Sequence, residues 1–269
     1  MGARLDKRRL QSLLAADRSV RLLVVLGETG STNDDLRRLA AEGAPEGTVV
    51  VADHQTAGRG RMGRRWLSEP GLGVCVSVLF RPSAKIDSIP RFTLGASVAA
   101  CRACREQGAP AEIRWPNDVF AGSRKVAGIL AEVRSTGPTP GELIVGAGFN
   151  ANQSLEDFPE ELRGGAGSLR MSRDGEPVDR ELLAASFVVR LGEVARALAR
   201  GEWDDVSTAW SGMSPTSSGR AARVVSAEGK PLLDGTTRGI DATGALRVES
   251  ADGSLALVRL GESVVFPEV

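Results

Sequence analysis

The chain of 269 residues has one histidine, three cysteines and no net charge, its 34 basic and 34 acidic side chains cancelling. Each scarcity removes a class of chemistry. With His54 alone, neither a Ser-His-Asp triad nor a multi-histidine zinc site has support. Three cysteines make no disulfide framework. Cys101-x-x-Cys104 falls in an apolar stretch, where small core side chains explain it better than redox or metal chemistry. The balanced charge argues against a general nucleic-acid or anionic-membrane surface. No apolar run of about 18 residues exists, so no membrane span is expected. The segment Met1-Gly-Ala-Arg-Leu-Asp-Lys7 lacks the apolar stretch of a secretion signal. Neither a Gly-x-x-x-x-Gly-Lys-Ser/Thr loop nor a Gly-x-Ser-x-Gly elbow is present. The expected compartment is the cytoplasm.

What is present is concentrated. Gln55-Thr-Ala-Gly-Arg-Gly-Arg-Met-Gly-Arg-Arg-Trp66 packs four arginines and three glycines into one short span. Glycine lets backbone approach a ligand closely, and arginine offers a planar fork of donors to phosphate or carboxylate oxygens. Gly58, Gly60 and Gly63 fit the spacing of a dinucleotide loop, but Arg64-Arg-Trp-Leu-Ser-Glu-Pro70 follows instead of a helix. The loop reads as an anion cradle that is mobile when empty, since its charges repel and its glycines favour disorder.

Periodicity predicts helices over 4–16, 32–41, 88–107, 179–199 and 203–211. Strands are expected over 21–26, 48–52, 73–80, 111–115, 118–121, 125–133 and 142–149, with a loop-like 151–177. Gly212-Met-Ser-Pro-Thr-Ser-Ser-Gly219 reads as a linker. Beyond it, short β runs over 222–226, 230–233, 236–240, 246–249, 255–259 and 263–266 are separated by Gly-containing turns, including Asp234-Gly235. The organisation is α+β, with a mixed, mainly antiparallel sheet and a small SH3-like β barrel. The division falls at 1–218 and 219–269.

Four further runs carry possible chemistry. Glu28-Thr-Gly-Ser-Thr-Asn33 stands at a strand-to-helix junction, where hydroxyl and amide groups can bond a neutral polar ligand. Taken alone, capping by Ser31 or Thr32, with Asp34 and Asp35 in the first turn, accounts for it better. Arg114-Trp-Pro-Asn-Asp118 is an ordinary turn composition in which Asp118 can meet a metal-bound triphosphate or take a proton from an amine. In Lys125-Val-Ala-Gly-Ile-Leu-Ala-Glu132, alternation places Lys125 on one face with Ala127, Ile129 and Ala131. Lys125 is then either a solvated strand-end lysine or a cation set against an anionic ligand. Gly128 favours the second, because strand glycines often mark close approach. Gly146-Ala-Gly-Phe-Asn150 ends a strand and delivers an amide, or is a simple turn.

In this order and spacing, these runs resemble biotin protein ligase, also called biotin–[acetyl-CoA carboxylase] ligase. The resemblance runs from about residue 22 to the C-terminus. It implies a class II aminoacyl-tRNA synthetase-like catalytic domain with a small C-terminal β domain. The short N-terminus suits the monofunctional type, without a winged-helix DNA-binding domain. It implies ATP with Mg²⁺, biotin as substrate, a biotinyl-5′-AMP intermediate, and transfer to a lysine of a biotin carboxyl carrier protein. The enzyme would be a monomer or homodimer acting on neither DNA nor membrane. By the same resemblance, Ser31, Thr32, Asn33 and Gln55 surround the biotin head group. Arg59, Gly60 and Arg61 fold over biotin and adenylate, and Lys125 meets the carboxylate and α-phosphate. Gly128 and Leu130 line the biotin strand. Arg64, Trp66, Asn117, Asp118, Asn150 and Ser168 lie on the ATP side. Lys125, Arg59, Arg61 and Asp118 form the catalytic set, with no firm metal ligand beyond the ATP phosphates.

Three alternatives stand beside this one. A lipoate-type ligase shares the chemistry, but its Arg-Arg-x-Ser-Gly-Gly-Gly motif is absent. A nucleic-acid module would use the Arg/Gly loop and Trp66 for backbone and stacking contacts. An inactive relative would keep the fold, although Lys125 and Arg59-Gly-Arg61 are intact.

Overall fold

Along each strand of the main sheet, alternate residues take opposite faces, and that alternation decides what each face can hold. The computed structural model describes residues 4–82, 89–134, 141–259 and 262–266. Its elements in order are α1 (Lys7–Leu14), β1 (Leu22–Thr29), α2 (Thr32–Ala41), β2 (Thr48–Gln55), β3 (Val74–Phe80) and α3 (Ile89–Glu106). They continue with β4 (Ala111–Arg114), β5 (Asp118–Ala121), β6 (Arg124–Arg134), β7 (Glu142–Phe149), α4 (Arg180–Ala199) and α5 (Trp203–Met213). The last five are β8 (Ser218–Val225), β9 (Pro231–Ile240), β10 (Leu246–Glu249), β11 (Leu255–Val258) and β12 (Ser263–Val265). Ser88, the expected first residue of the third helix, lies outside the described residues.

Seven strands form one sheet in the order β1-β2-β3-β7-β6-β5-β4. Only β1 and β2 are parallel; every other neighbouring pair is antiparallel. On one face, Val49, Val51, Val74, Val76, Val78, Leu143, Val145 and Phe149 join the large core with residues of α1, α3, α4 and α5. Full burial of such side chains stabilises by roughly 1.5–3 kcal/mol each, so this face carries most of the hydrophobic stabilisation. On the other face, Val50, Leu79 and Ile144 pack against Leu36 and Ala40 of α2. That smaller cluster leaves the neighbouring part of the face open for a site.

The remaining five strands form a second sheet, in the order β11-β10-β9-β8-β12, with antiparallel pairs throughout. The pairings run in one line between the β11 and β12 edges, and none closes them into a barrel among the described residues. Val224, Leu246, Val248 and Val258 belong to the same core cluster as the main sheet.

Two expectations are corrected here. The expected linker is packed: Ser214, Thr216 and Ser217 are buried around a 3₁₀ turn at Pro215–Ser217, and Thr237 Oγ1 donates to the Thr216 carbonyl at 3.0 Å. The expected turn at Asp234-Gly235 does not exist, because β9 runs through it. A side chain on Gly235 would overlap the Glu249 carbonyl, so this glycine serves close strand packing.

Candidate active site

The open part of the sheet face is floored by missing side chains. Cys75, Gly148, Gly128 and Asp118 stand in register on β3, β7, β6 and β5, and Ser77, Gly146 and Leu130 form the next row. Side chains at Gly148 or Gly128 would press on the Trp66 indole. At Gly146, one would overlap Asn33 Oδ1. The glycines therefore let Trp66 lie against the sheet and let Asn33 reach into it. At Gly128 the close approach expected from sequence is made by Trp66 and Lys125.

Lys125 does not share a face with Ala127 and Ile129. Asp118 pairs with Gly128 and Val119 with Ala127, but Phe120 pairs with Lys125. Val126 is thus an extra residue, a β-bulge that shifts the alternation by one. Val126, Ala127 and Ile129 face the core, whereas Lys125 turns to the side of Gly128. Its ammonium sits 2.6 Å from Asp118 Oδ1 and 5.8 Å from the centre of the Trp66 ring.

A cavity of about 180 Å³ results, and its lining has two chemical ends. One end is neutral and polar. Thr32 donates from its amide and hydroxyl to Gln55 Oε1 at 2.8 and 3.0 Å. The Ser77 hydroxyl lies 2.7 Å from Thr32 Oγ1 and 2.6 Å from Asn33 Oδ1, with one proton to share. Asn33 Nδ2 donates to Glu132 Oε2 at 2.7 Å. Ser31 occupies the N-cap position of α2, yet its side chain makes no capping bond. Gln55 does that work for Thr32, so capping does not account for the hydroxyls in this run.

The other end is cationic. Arg59, Arg61, Arg64 and Lys125 line it, and Asp118 is its one acidic member among the described residues. Arg61 Nη1 donates to Asn117 Oδ1 at 3.0 Å, and Asn117 Nδ2 donates to the Ile129 carbonyl at 2.5 Å. Burial lowers the pKa of the Arg61 guanidinium, against the opposing pull of Asp118. The loop that brings these arginines folds back on itself: Gly60 N donates to the Arg64 carbonyl at 2.7 Å and Trp66 N to the Gly58 carbonyl at 2.9 Å. Met62 and Gly63 take positive φ at its tip, where glycine is at ease and methionine is strained. The loop is pinned at both sides. Arg59 pairs with Asp34 at 2.5 and 2.8 Å, which depresses the Asp34 pKa and raises that of Arg59. Arg61 Nη2 donates to the Glu262 carbonyl at 3.1 Å and Arg64 to Ser263 Oγ at 3.2 Å, reaching the second sheet.

Most of the expected site residues line this cavity: Ser31, Thr32, Asn33, Gln55, Arg59, Gly60, Arg61, Arg64, Trp66, Asn117, Asp118, Lys125, Gly128 and Leu130. Asn150 and Ser168 do not. Asn150 Nδ2 donates to the Gly167 carbonyl at 3.0 Å, and Ser168 Oγ donates to the Gln153 carbonyl at 2.6 Å. Both are buried and shape the 165–169 segment, which pairs with the backbone of Lys125. Sequence reasoning missed Ser77, whose signal is a lone hydroxyl in the apolar strand Val-Cys-Val-Ser-Val-Leu-Phe. It also missed Ser263, which carries no local signal.

No group of three or more His, Cys, Asp or Glu side chains suited to a metal occurs among the described residues. The three cysteines are buried and free. Burial pushes the Cys75 thiol up to about 12 and Cys101 to about 11, and raises Cys104 well above the usual thiol value. No helix of the described residues is long and apolar enough to cross a membrane.

The chain is similar in sequence and fold to known proteins. Residues 28–150 match the profile of the biotin/lipoate A/B protein ligase family. The bifunctional ligase/repressor BirA of Bacillus subtilis is 44% identical over 151 residues, covering 56% of this chain and 46% of that protein. The biotin–[acetyl-CoA-carboxylase] ligase of Mycobacterium tuberculosis is 40% identical over 164 residues, covering 57% of this chain and 58% of that one. The chain thus spans about half the length of these curated relatives. Among solved structures, the biotin protein ligase of Aquifex aeolicus in complex with biotin and ATP superposes with a TM-score of 0.78 at 27% identity. It covers 92% of this chain and 100% of its own. Residues 28–150 are thus similar to the biotin/lipoate A/B protein ligase family, and the chain carries the fold of the solved biotin protein ligase.

Proposed function

We propose that this protein is an ATP-dependent, AMP-forming biotin ligase. The biotin carboxylate attacks the α-phosphorus of ATP and expels pyrophosphate. The amine of a carrier-domain lysine then attacks the acyl carbonyl of biotinyl-5′-AMP and expels AMP. The observation that carries this reading is the two-ended cavity: a neutral hydrogen-bonding end at Thr32, Asn33, Gln55 and Ser77, and a cationic end at Lys125 and Arg61. A ureido ring with a carboxylate tail matches both ends. A lipoyl dithiolane offers no hydrogen bonds to the first, so the donor and acceptor capacity left there would lose water without a replacement.

The chemistry assigned to each residue follows from charge. Carboxylate and triphosphate repel, so the reaction needs fixed cations where negative charge builds up. Lys125 supplies one, aimed by Asp118, and Arg61 another, aimed by Asn117. Asp118, the hard oxygen donor lining the cavity, would be the residue to hold a magnesium ion brought with ATP, which would supply charge neutralisation on the phosphates. Once Lys125 has turned to the phosphate, Asp118 is also the group able to receive the acceptor amine's proton. Trp66 and the Arg/Gly loop exclude water from the acyl-adenylate, which hydrolyses when wet. The 165–169 segment beside Lys125 supports the ATP side.

Residues 1–218 form the catalytic part and 219–269 a β unit that braces the loop through Glu262 and Ser263. The acceptor is a biotin carboxyl carrier domain. Free buried thiols suit a reducing cytoplasm. The test is incubation with labelled biotin, MgATP and a biotin carboxyl carrier domain. Label on the carrier lysine is the expected result, and an unlabelled carrier with no pyrophosphate released rejects the reading.

A further inference from the structure

The polar contacts of the cavity form one chain that begins at the base of the Arg/Gly loop and ends in it. It starts at Gln55, the last residue of β2, from which the loop departs and which accepts from Thr32. It passes through Ser77 to Asn33, and from Asn33 Nδ2 to Glu132 Oε2 at 2.7 Å. The same Oε2 stands 3.6 Å from Arg59 Nη2, back in the loop. The other carboxylate oxygen of Glu132 meets Arg37 at 3.1 Å, and Arg37 also pairs with Asp34. One carboxylate therefore touches both the amide at the neutral end of the cavity and the guanidinium of the loop that covers it.

The strength of these pairs indicates what they are for. The Arg59 and Asp34 side chains are 37% and 44% exposed, and ion pairs that open to water add little stability. A weak contact is a poor strut but a good switch, because a bound ligand can bias it. Asn33 Nδ2 also donates to the Leu130 carbonyl, at a long 3.5 Å that a ligand acceptor can replace, and Oδ1 keeps a second lone pair for a ligand. A ligand that uses them orders the amide, and with it the Glu132 oxygen that faces Arg59.

We propose that Glu132 is a positioning residue that couples filling of the Thr32/Asn33 end to closure of the Arg/Gly loop, and so to retention of the acyl-adenylate. The inference rests on the ligase reading above. Coupling is reciprocal: if head-group binding favours the closed loop, the closed loop tightens head-group binding by the same factor. Asp34 has a different part. It holds Arg59 but does not touch Asn33, so it sets how firmly the loop closes without making closure depend on the ligand.

The test compares the wild type with Glu132→Gln, Asp34→Asn and Arg59→Gln. Two quantities are read: protection of residues 55–66 from protease by biotin, as a ratio with and without it, and the release rate of preformed biotinyl-5′-AMP. Glutamine keeps an oxygen for Asn33 and loses the charge for Arg59. Glu132→Gln is expected to bring the protection ratio close to one and to speed release about tenfold, within the range usual for coupled sites. Asp34→Asn is expected to raise cleavage both with and without biotin while keeping their ratio. Arg59→Gln removes the contact from the exposed loop side, where folding is not at stake, and is expected to abolish the ratio as Glu132→Gln does. A wild-type ratio and release rate in Glu132→Gln, or a kept ratio in Arg59→Gln, overturns the coupling. If the wild type makes no biotinyl-5′-AMP, both this inference and the ligase reading fall; if it makes the adenylate and Glu132→Gln holds it equally long, only the coupling falls.

Discussion

Apart from Gly235, which lets β9 pack closely on its neighbour, the two sheets of this molecule use glycine differently. In the seven-stranded sheet, Gly128, Gly146 and Gly148 lie mid-strand, where side chains would strike Lys125, Asn33 and Trp66. In the five-stranded sheet, Gly229, Gly244 and Gly253 lie at turns with φ of 80°, 87° and 82°. The first set removes bulk so that functional groups can lie against a sheet; the second lets the chain reverse. Burial divides the same way. Every residue of β3 is buried, whereas Leu255 and Leu257 of β11 and Leu232 of β9 are exposed. The lesson is a division of structure: a largely buried sheet with a hollowed face floors the cavity, and a more exposed sheet reaches over to contact its loop.

That division is open to breakage at four points. The largest effect is expected from Lys125→Ala, which removes a cation from the developing charge and should lower adenylate formation by about 10³-fold. Pyrophosphate release measures it, with far-ultraviolet circular dichroism unchanged. Gly148→Val should follow, at about 10²-fold, because the side chain overlaps Trp66 and displaces the loop behind it; the same assay reads it, and near-wild-type turnover would deny the hollowed floor its purpose. Trp115→Phe acts at the junction. Trp115 Nε1 donates to the Gly244 carbonyl at 3.2 Å across the sheets, and its loss should destabilise by about 1–3 kcal/mol in urea unfolding. Because both sheets share one core cluster, the transition should stay single, and a split transition would show two independent units. Ser263→Ala is expected to do least, raising the KM for ATP about twofold, since it removes one exposed contact to Arg64. A loss as large as that of Lys125→Ala would place the chemistry in both sheets.

Much of this was legible from local pattern. The bounds of α2, β5, β7 and β10 agree with the periodic runs, because an amphipathic stripe or a β-branched run reports its own conformation. The Arg/Gly loop and the Ser31–Asn33 run were visible as concentrations of donors. The misreadings share a cause. Lys125 was assigned to the wrong face because the bulge at Val126 arises from its register against β5, which no local window contains. Asp234-Gly235 looked like a turn because the residue that needs Gly235 to be small, Glu249, is on another strand. The 212–219 segment looked like a linker because small polar residues read as solvated, whereas Ser214, Thr216 and Ser217 are packed against the second sheet. Asn150 and Ser168, expected on the ATP side, spend their side chains on nearby carbonyls and lie outside the cavity lining.

The amino-acid sequence by itself determined which chemical groups the protein possesses and the conformations that neighbouring residues impose on each other. It therefore settled the helices, most strands and the concentration of arginine and glycine in one loop. Only the tertiary structure decided which of those groups meet. Strand register placed Gly148 beside Gly128 under Trp66, a bulge turned Lys125 to Asp118, and chain return brought Glu132 between Asn33 and Arg59. The physical reason is that side-chain direction reverses with every single-residue shift of register, and register is set by packing between segments far apart in the chain.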